Sequence, residues 1–230
     1  MKKDYWPEFW KTHGKKSVDA DEHFQVLRTK NKAPIEEERW QQTLGHILEQ
    51  LELKATDDVL DLCCGNGLIT REMSRNCRSV TCVDIAPELV DRIDTNLYPN
   101  ITPMVGDIRE LNLEPDSFDK IMIYAAIQYL DLAEAVEWFQ HMHAALRDGG
   151  MLFIGDIPDR AKLWNFFDSN EREAVHFEST KKREAIVGTW FEQDWLLKLA
   201  KYAGFKSAEI VAQPEYMIYA GYRYDMRVTK

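Results

Sequence analysis

Cysteine is scarce in this chain of 230 residues, with four copies at Cys63, Cys64, Cys77 and Cys82. None has the paired spacing of a zinc site, so a structural zinc module is excluded. Four reduced, structural thiols agree with a cytoplasmic protein. Basic charge is also short: 29 Lys and Arg stand against 39 Asp and Glu, a formal net charge of −10. Broad binding to nucleic acid or to an acidic membrane calls for a basic face, so neither partner is expected. The short runs Lys11–Lys16 and Lys181–Arg183 read as solvated surface. No apolar run follows Met1, and none is long enough to cross a bilayer. Low-complexity segments and internal repeats are absent. What remains is one domain with a sizeable core.

The most informative segment is VLDLCCGNG, Val59 to Gly67. It reads as a buried strand, a tight turn and then a helix from about Leu68. Gly65 and Gly67 stand where the backbone must turn sharply and approach a ligand, a place that suits a residue without Cβ. Asp61 ends the strand at the carboxyl edge of a parallel sheet, where open α/β sheets bind ligands; capping of the next helix is its alternative role. Asp84 ends the next strand, SVTCVD, and a carboxylate there accepts from two ribose hydroxyls; a turn residue before Pro87 is the alternative. The dinucleotide fingerprint wants a third glycine three residues after the second, and Thr70 stands there. No Lys-Ser/Thr pair closes a P-loop. An adenosine without phosphates fits, and S-adenosylmethionine is the common one.

At this point the chain resembles the class I S-adenosylmethionine-dependent methyltransferases. Asp61, Cys63, Gly65 and Gly67 match their first motif, with Cys63 in place of the usual first glycine, which removes some backbone freedom. The resemblance implies that Asp84 holds the ribose with Ile85 beside it. In MVGDIREL it implies that Asp107 meets the adenine amino group with Ile108 beside the ring; a plain turn is the other reading of this Gly-Asp pair. Ser117–Leu130 matches the fourth strand and the loop at the catalytic face, and Leu146–Asp156 the turn and fifth strand. Asn66 and Tyr124 fall within matched motifs and join the expected cofactor residues. The resemblance covers roughly Glu36 to Lys230.

The element pattern agrees. A helix is expected from Ile35 to Leu51, started by Pro34 with glutamates in its first turn. Strands at Asp58–Leu62, Ser79–Val83, Ile101–Val105, Lys120–Tyr124 and Met151–Ile154 alternate with helices near Leu68–Arg75, Pro87–Asn96 and Leu132–Leu146. In the last of these helices Leu132, Val136, Phe139, His143 and Leu146 share a face. Such alternation gives a parallel sheet with right-handed crossovers. A helix at Phe191–Ala203 stops at Gly204. Strands near Lys206–Val211 and Met217–Tyr224 form an antiparallel pair. The expected fold is α/β and Rossmann-like: seven strands, mostly parallel, helices on both faces, the last strand antiparallel as the resemblance implies. Residues 1–34, rich in aromatic rings, are expected to form a cap segment or a satellite core. Residues 35–230 form the main domain, with a lid-like insertion at about 157–189.

The expected chemistry is alignment of an acceptor with a sulfonium methyl group, worth roughly 7–11 kcal/mol. A base is needed only if the acceptor holds its proton. His46 lies far from the chemistry, His143 reads as a core histidine and His141 as solvated. His13, His23 and His176 lie in covering segments, and His13 and His176 are carried forward as catalytic candidates with Asp156 and Tyr129; packing is the alternative role for Tyr129. Arg28 is assigned to the methionine carboxylate of the cofactor, with an anionic substrate group or a plain surface position as the alternatives. No metal site is expected. The leading acceptor is a small molecule, a hydroxyl of a sugar or nucleotide-sugar, and a homodimer is compatible with the sequence. N- or C-methylation of another metabolite, or a silent cofactor-binding protein, are the alternatives.

Overall fold

The structure is a computed structural model that describes residues 5–30, 33–184 and 186–230. Its centre is a sheet of β1 (Asp58–Leu62), β2 (Ser79–Asp84), β3 (Ile101–Val105), β4 (Phe118–Tyr124), β5 (Leu146–Pro158), β6 (Ser207–Val211) and β7 (Arg223–Thr229). The strands lie in the order β3-β2-β1-β4-β5-β7-β6. The neighbours from β3 to β5 pair in parallel. β7 runs antiparallel to both β5 and β6. The order reverses between β1, which leads outward to β2, and β4 on its other side. Open sheets bind ligands at such a switch point.

The strands are apolar on both faces because helices cover both. Alternation in β4 shows the division: Ile121 and Ile123 enter one core cluster, Met122 and Tyr124 the other. The first cluster packs under α6 (Leu132–Ala145) and α9 (Gln193–Tyr202), through residues such as Phe139 and Leu196. The second packs under α3 (Glu37–Leu51) through Ile47 and Leu51. Asp131 starts α6 with a capping box closed by Glu134.

Several boundaries differ from the sequence reading. Pro34 lies in a short ladder with Thr29, and α3 begins at Glu37. The helices after β1 and β2 are single short turns, α4 (Thr70–Ser74) and α5 (Pro87–Val90). The buried face of α6 is Ala135, Trp138, Phe139 and Met142, while Leu132 is exposed. Phe205 packs on Phe139 and His143 at the margin of that face. β7 starts at Arg223; Met217–Tyr222 is a run of turns that brings tyrosines to the sheet edge.

The N-terminal segment is helical where it is described: α1 (Tyr5–Lys16) and α2 (Glu22–Gln25). Residues 1–4 and 31–32 of the expected cap lie outside the described residues. Gly14 lets α1 lie close to the start of α5, since a Cβ there would be 3.1 Å from Ala86 Cβ. The insertion after β5 contains α7 (Leu163–Phe166) and α8 (Asn170–Lys181).

Candidate active site

The carboxyl ends of β1, β2, β4 and β5 open into one cavity of about 750 Å³, with α1 and the α7–α8 insertion lining its sides. Small-molecule sites span about 300–1,000 Å³.

One half of the cavity is acidic. Asp61 ends β1, buried, and takes a 2.6 Å hydrogen bond from the Thr70 hydroxyl. Burial raises its pKa to about 7; the Thr70 hydroxyl opposes the shift and the Asp84 charge adds to it. Cys63 adopts φ 59° at the place of the usual glycine, so the turn holds a cysteine in the left-handed region. Gly65, at φ 57°, donates its N–H to Asp84 Oδ2 at 2.8 Å, and Ala86 donates to Oδ1 at 2.9 Å. A carboxylate offers about four lone-pair sites, so Asp84 retains acceptor capacity for a ligand hydroxyl. Burial raises its pKa, against the pull of these donors. Asp107 lines the same half with Ile85 and Ile108. Arg109 donates to both of its oxygens. Burial pushes the Asp107 pKa up, but the Arg109 bonds outweigh it and leave the carboxyl low.

The other half is built from tyrosines and guanidinium groups. Tyr124 ends β4, and its buried hydroxyl has no hydrogen-bond partner. The Arg28 guanidinium carbon lies 4.6 Å from the Tyr124 ring centre. Arg28 Nη1 also donates to Asp156 Oδ2 at 3.3 Å. Asp156 has φ 61°, a strained backbone for a non-glycine residue. Its N–H donates to Asp225 Oδ1 at 2.7 Å, and its carbonyl accepts from Arg223 Nη1 at 2.6 Å. His46 Nε2 meets Asp225 Oδ2 at 2.9 Å, which places this histidine directly behind the Asp156 turn rather than far from it. Tyr129 packs against Trp6 and Trp10 of α1, with ring centres 4.6 and 5.8 Å away. Burial raises the pKa of both Tyr124 and Tyr129. Gln128 carries a buried, unpartnered Oε1.

Of the residues expected from sequence, Asp61, Cys63, Gly65, Asp84, Ile85, Asp107, Ile108, Tyr124, Arg28, Tyr129 and Asp156 meet at this cavity. Four others do not line it. Asn66 Nδ2 donates to the Glu22 carbonyl and to Gln25 Oε1, and so anchors α2. Gly67 allows close packing, since a Cβ there would be 2.9 Å from Ile93 Cγ1. His13 Nε2 lies 3.0 Å from the Gln25 carbonyl and ties α1 to α2. His176 sits among Trp164, Phe167 and Phe177. Each histidine lies one helical turn beyond the lining residues, His13 after Phe9 and Trp10 and His176 after Arg172, and packs on its neighbours there. Tyr5, Trp6, Trp10 and Phe166 line the cavity, while Trp164 and Phe167 do not. The sequence reading missed Arg109, Arg172, Tyr219, Tyr222 and Arg223. The run YAGYRY, Tyr219 to Tyr224, carried the signal, but it was read as strand.

The residues present fit an adenosine-type cofactor. The acidic half holds a carboxylate with spare acceptor capacity at a glycine turn, and the second half leaves buried polar atoms of Tyr124 and Gln128 unpartnered. Among the described residues no group of three or more His, Cys, Asp or Glu could hold a metal ion. No helix there is long and apolar enough to cross a membrane.

Residues 59–150 match the model of a methyltransferase domain family. An uncharacterized methyltransferase of Synechocystis is 28% identical over 120 residues, which are 52% of this chain and 56% of that protein. Phosphoethanolamine N-methyltransferase 1 of Triticum aestivum is 28% identical over 67% of this chain and 30% of its own. Phosphoethanolamine N-methyltransferase 1 of Haemonchus contortus, solved with phosphoethanolamine and S-adenosylhomocysteine, superposes with a TM-score of 0.74 at 17% identity. That superposition covers 100% of this chain and 50% of the Haemonchus protein, and shows the shared fold. The chain spans about half the length of the first curated relatives it matches, 56% and 52%. By the matched domain, the strand order and the acidic residues closing β1 and β2, the chain is similar to the class I S-adenosylmethionine-dependent methyltransferases, and residues 59–150 carry their domain.

Proposed function

We propose that the protein transfers a methyl group from S-adenosylmethionine to a small molecule. One observation carries this: a single cavity runs from the Asp61–Asp84–Asp107 edge to the Tyr124–Asp156–Arg223 edge, so donor and acceptor can share one enclosure. The bound cofactor would supply an electrophilic methyl group. Asp84 would hold the ribose hydroxyls, Ile85 and Ile108 would flank adenine, and Arg28 would fork onto the methionine carboxylate. Trp6 and Trp10 would exclude water above Tyr129. Asp107 would share its lone pairs between Arg109 and the adenine amino group.

The acceptor atom follows from the bases at hand. The tyrosines of the acceptor half have raised pKa values, Asp156 is held by Arg28, and neither His13 nor His176 lines the cavity. This supports an acceptor that is already deprotonated when it binds, a carboxylate or an amine that enters in its neutral form and loses its proton to solvent after transfer. The wheat and Haemonchus relatives named for an N-methylation agree with it. A sugar or nucleotide-sugar hydroxyl is the second reading, with Asp156 as the proton acceptor at the end of β5. Methyl transfer from labelled S-adenosylmethionine to pools of amines, organic acids and nucleotide-sugars tests both. Labelled product in the sugar pool alone would select the hydroxyl. Cofactor binding with no turnover on any pool would identify a silent binding protein.

A further inference from the structure

We infer that the acceptor carries an anionic group, a phosphate or a carboxylate, which docks on Arg223 and Arg172; this rests on the methyl-transfer reading above. The two arginines belong to one wall. Arg223 opens β7 and lies 5.8 Å from the Tyr222 ring centre. The Tyr222 ring packs on Phe166 at 5.1 Å, and the Arg172 guanidinium covers Phe166 at 4.4 Å. This chain of contacts, cation to ring, ring edge to ring, and ring to cation, ties both guanidinium groups to one wall of the cavity. Planar guanidinium groups held on aromatic faces present forked donors matched to carboxylate and phosphate.

Charge supports the same reading. The chain has a net charge of −10, yet its acceptor half is lined by Arg28, Arg172 and Arg223 against Asp156 and Asp168. Arg223 is more than nine-tenths buried, and its Nε lacks a hydrogen-bond partner in this structure. A buried donor left unmatched is costly, so a site built around one is a site awaiting an acceptor. Its Nη1 is committed to the Asp156 carbonyl at 2.6 Å, which aims the group from a rigid strand end. Arg172 pairs with Asp168 at 2.9 Å on the rim and is about half exposed, so it can close on a ligand that Arg223 has engaged. Arg28 stacks on Tyr124 and meets Asp156 Oδ2 at 3.3 Å, and Arg223 Nη1 lies 3.7 Å from the same oxygen, so one carboxylate serves two guanidinium groups. A nucleotide-sugar diphosphate, a phosphorylated amine and an amino acid all satisfy this requirement; a neutral sugar or an uncharged amine does not.

The test titrates S-adenosylhomocysteine-loaded protein with inorganic phosphate and with acetate, in wild type and in Arg172→Gln and Arg223→Gln variants. Saturable binding of either anion is expected, weakened about tenfold or more in each variant, with S-adenosylhomocysteine affinity unchanged. Preference for phosphate would assign a phosphorylated acceptor, and preference for acetate a carboxylated one. Should Arg223→Gln not fold, Arg172→Gln at the half-exposed rim decides alone. Loss of anion binding with an equal loss of S-adenosylhomocysteine affinity would move the wall to the cofactor and overturn the proposal. So would binding of neither anion, or binding in both variants as tight as in wild type. Failure of S-adenosylhomocysteine to bind at all would instead sink the methyl-transfer reading, while anion titration of the unloaded protein would still read the wall.

Discussion

Val26 sits directly on Gly65: a Cβ built on this glycine would lie 2.5 Å from Val26 Cγ1. The nucleotide turn is therefore closed from above by the N-terminal segment, not by open space left for a ligand alone. Asn66 beside it donates to the Glu22 carbonyl and to Gln25, so the same turn grips α2. Cofactor loop and cap form one mechanical unit.

A first prediction tests that unit. Gly65→Ala meets both the clash with Val26 and the left-handed backbone, so S-adenosylhomocysteine affinity should fall at least tenfold by calorimetry. Adding Val26→Ala removes the clash but not the backbone strain, and should restore part of the loss. No recovery in the double variant would mean that Val26 does not press on the turn.

Asp84→Ala should weaken S-adenosylhomocysteine binding by about 1.5–3 kcal/mol, the range for hydrogen bonds to a charged group. It should also lower the melting temperature, because Asp84 holds the N–H groups of Gly65 and Ala86. This second effect follows from the turn role, which Asp84 holds together with its place at the cavity. An unchanged dissociation constant in the folded variant would remove the ribose role.

The raised pKa of Asp61 makes stability depend on pH. With a folded value of about 7 against an unfolded value near ~3.9, the native state binds more protons between these limits. The Asp61 contribution is then favourable at low pH and declines as pH rises from about 4 to about 7, after which it is flat. Asp61→Asn removes the buried charge, so it should raise the melting temperature of cofactor-free protein more at pH 8 than at pH 5. An equal gain at both values would show that Asp61 is not held protonated at the lower one.

Removing residues 1–20 deletes α1 and strips Trp6 and Trp10 from Tyr129. Turnover should be lost and S-adenosylhomocysteine affinity reduced, with far-ultraviolet circular dichroism still showing a folded α/β core. Full activity of the shortened chain would refute the cap.

A chelator should leave labelled methyl transfer unchanged, because alignment and an electrophilic cofactor suffice for the chemistry proposed. Loss of turnover with EDTA, restored by magnesium, would overturn this.

Much of the cofactor half was legible because its signals are local. Asp61 and Asp84 each close a short apolar strand, and Gly65 follows within a few residues, so spacing along the chain translates directly into position at the sheet edge. The helix boundaries were less legible. α4 and α5 are shorter than their apolar patterns, since the turns after them pack without continuing the helix.

The sequence alone determined the alternating α/β architecture, the antiparallel closing pair and the place of Asp61 and Asp84 at the carboxyl ends of β1 and β2, because these depend on period, turn chemistry and order. Tertiary structure alone decided which covering residues reach the cavity. Arg28 meets Asp156 across 128 residues of chain, and His46 reaches Asp225 across 179. His13 and His176 have the chemistry of a base, but each sits one turn beyond the lining residues of its helix and is spent on packing. Arg172 and Arg223 lie far apart in sequence and become one wall only when β7 and α8 bring Tyr222 and Phe166 together. Side-chain direction on a helix or at a strand end depends on what packs behind it, and no local pattern encodes that.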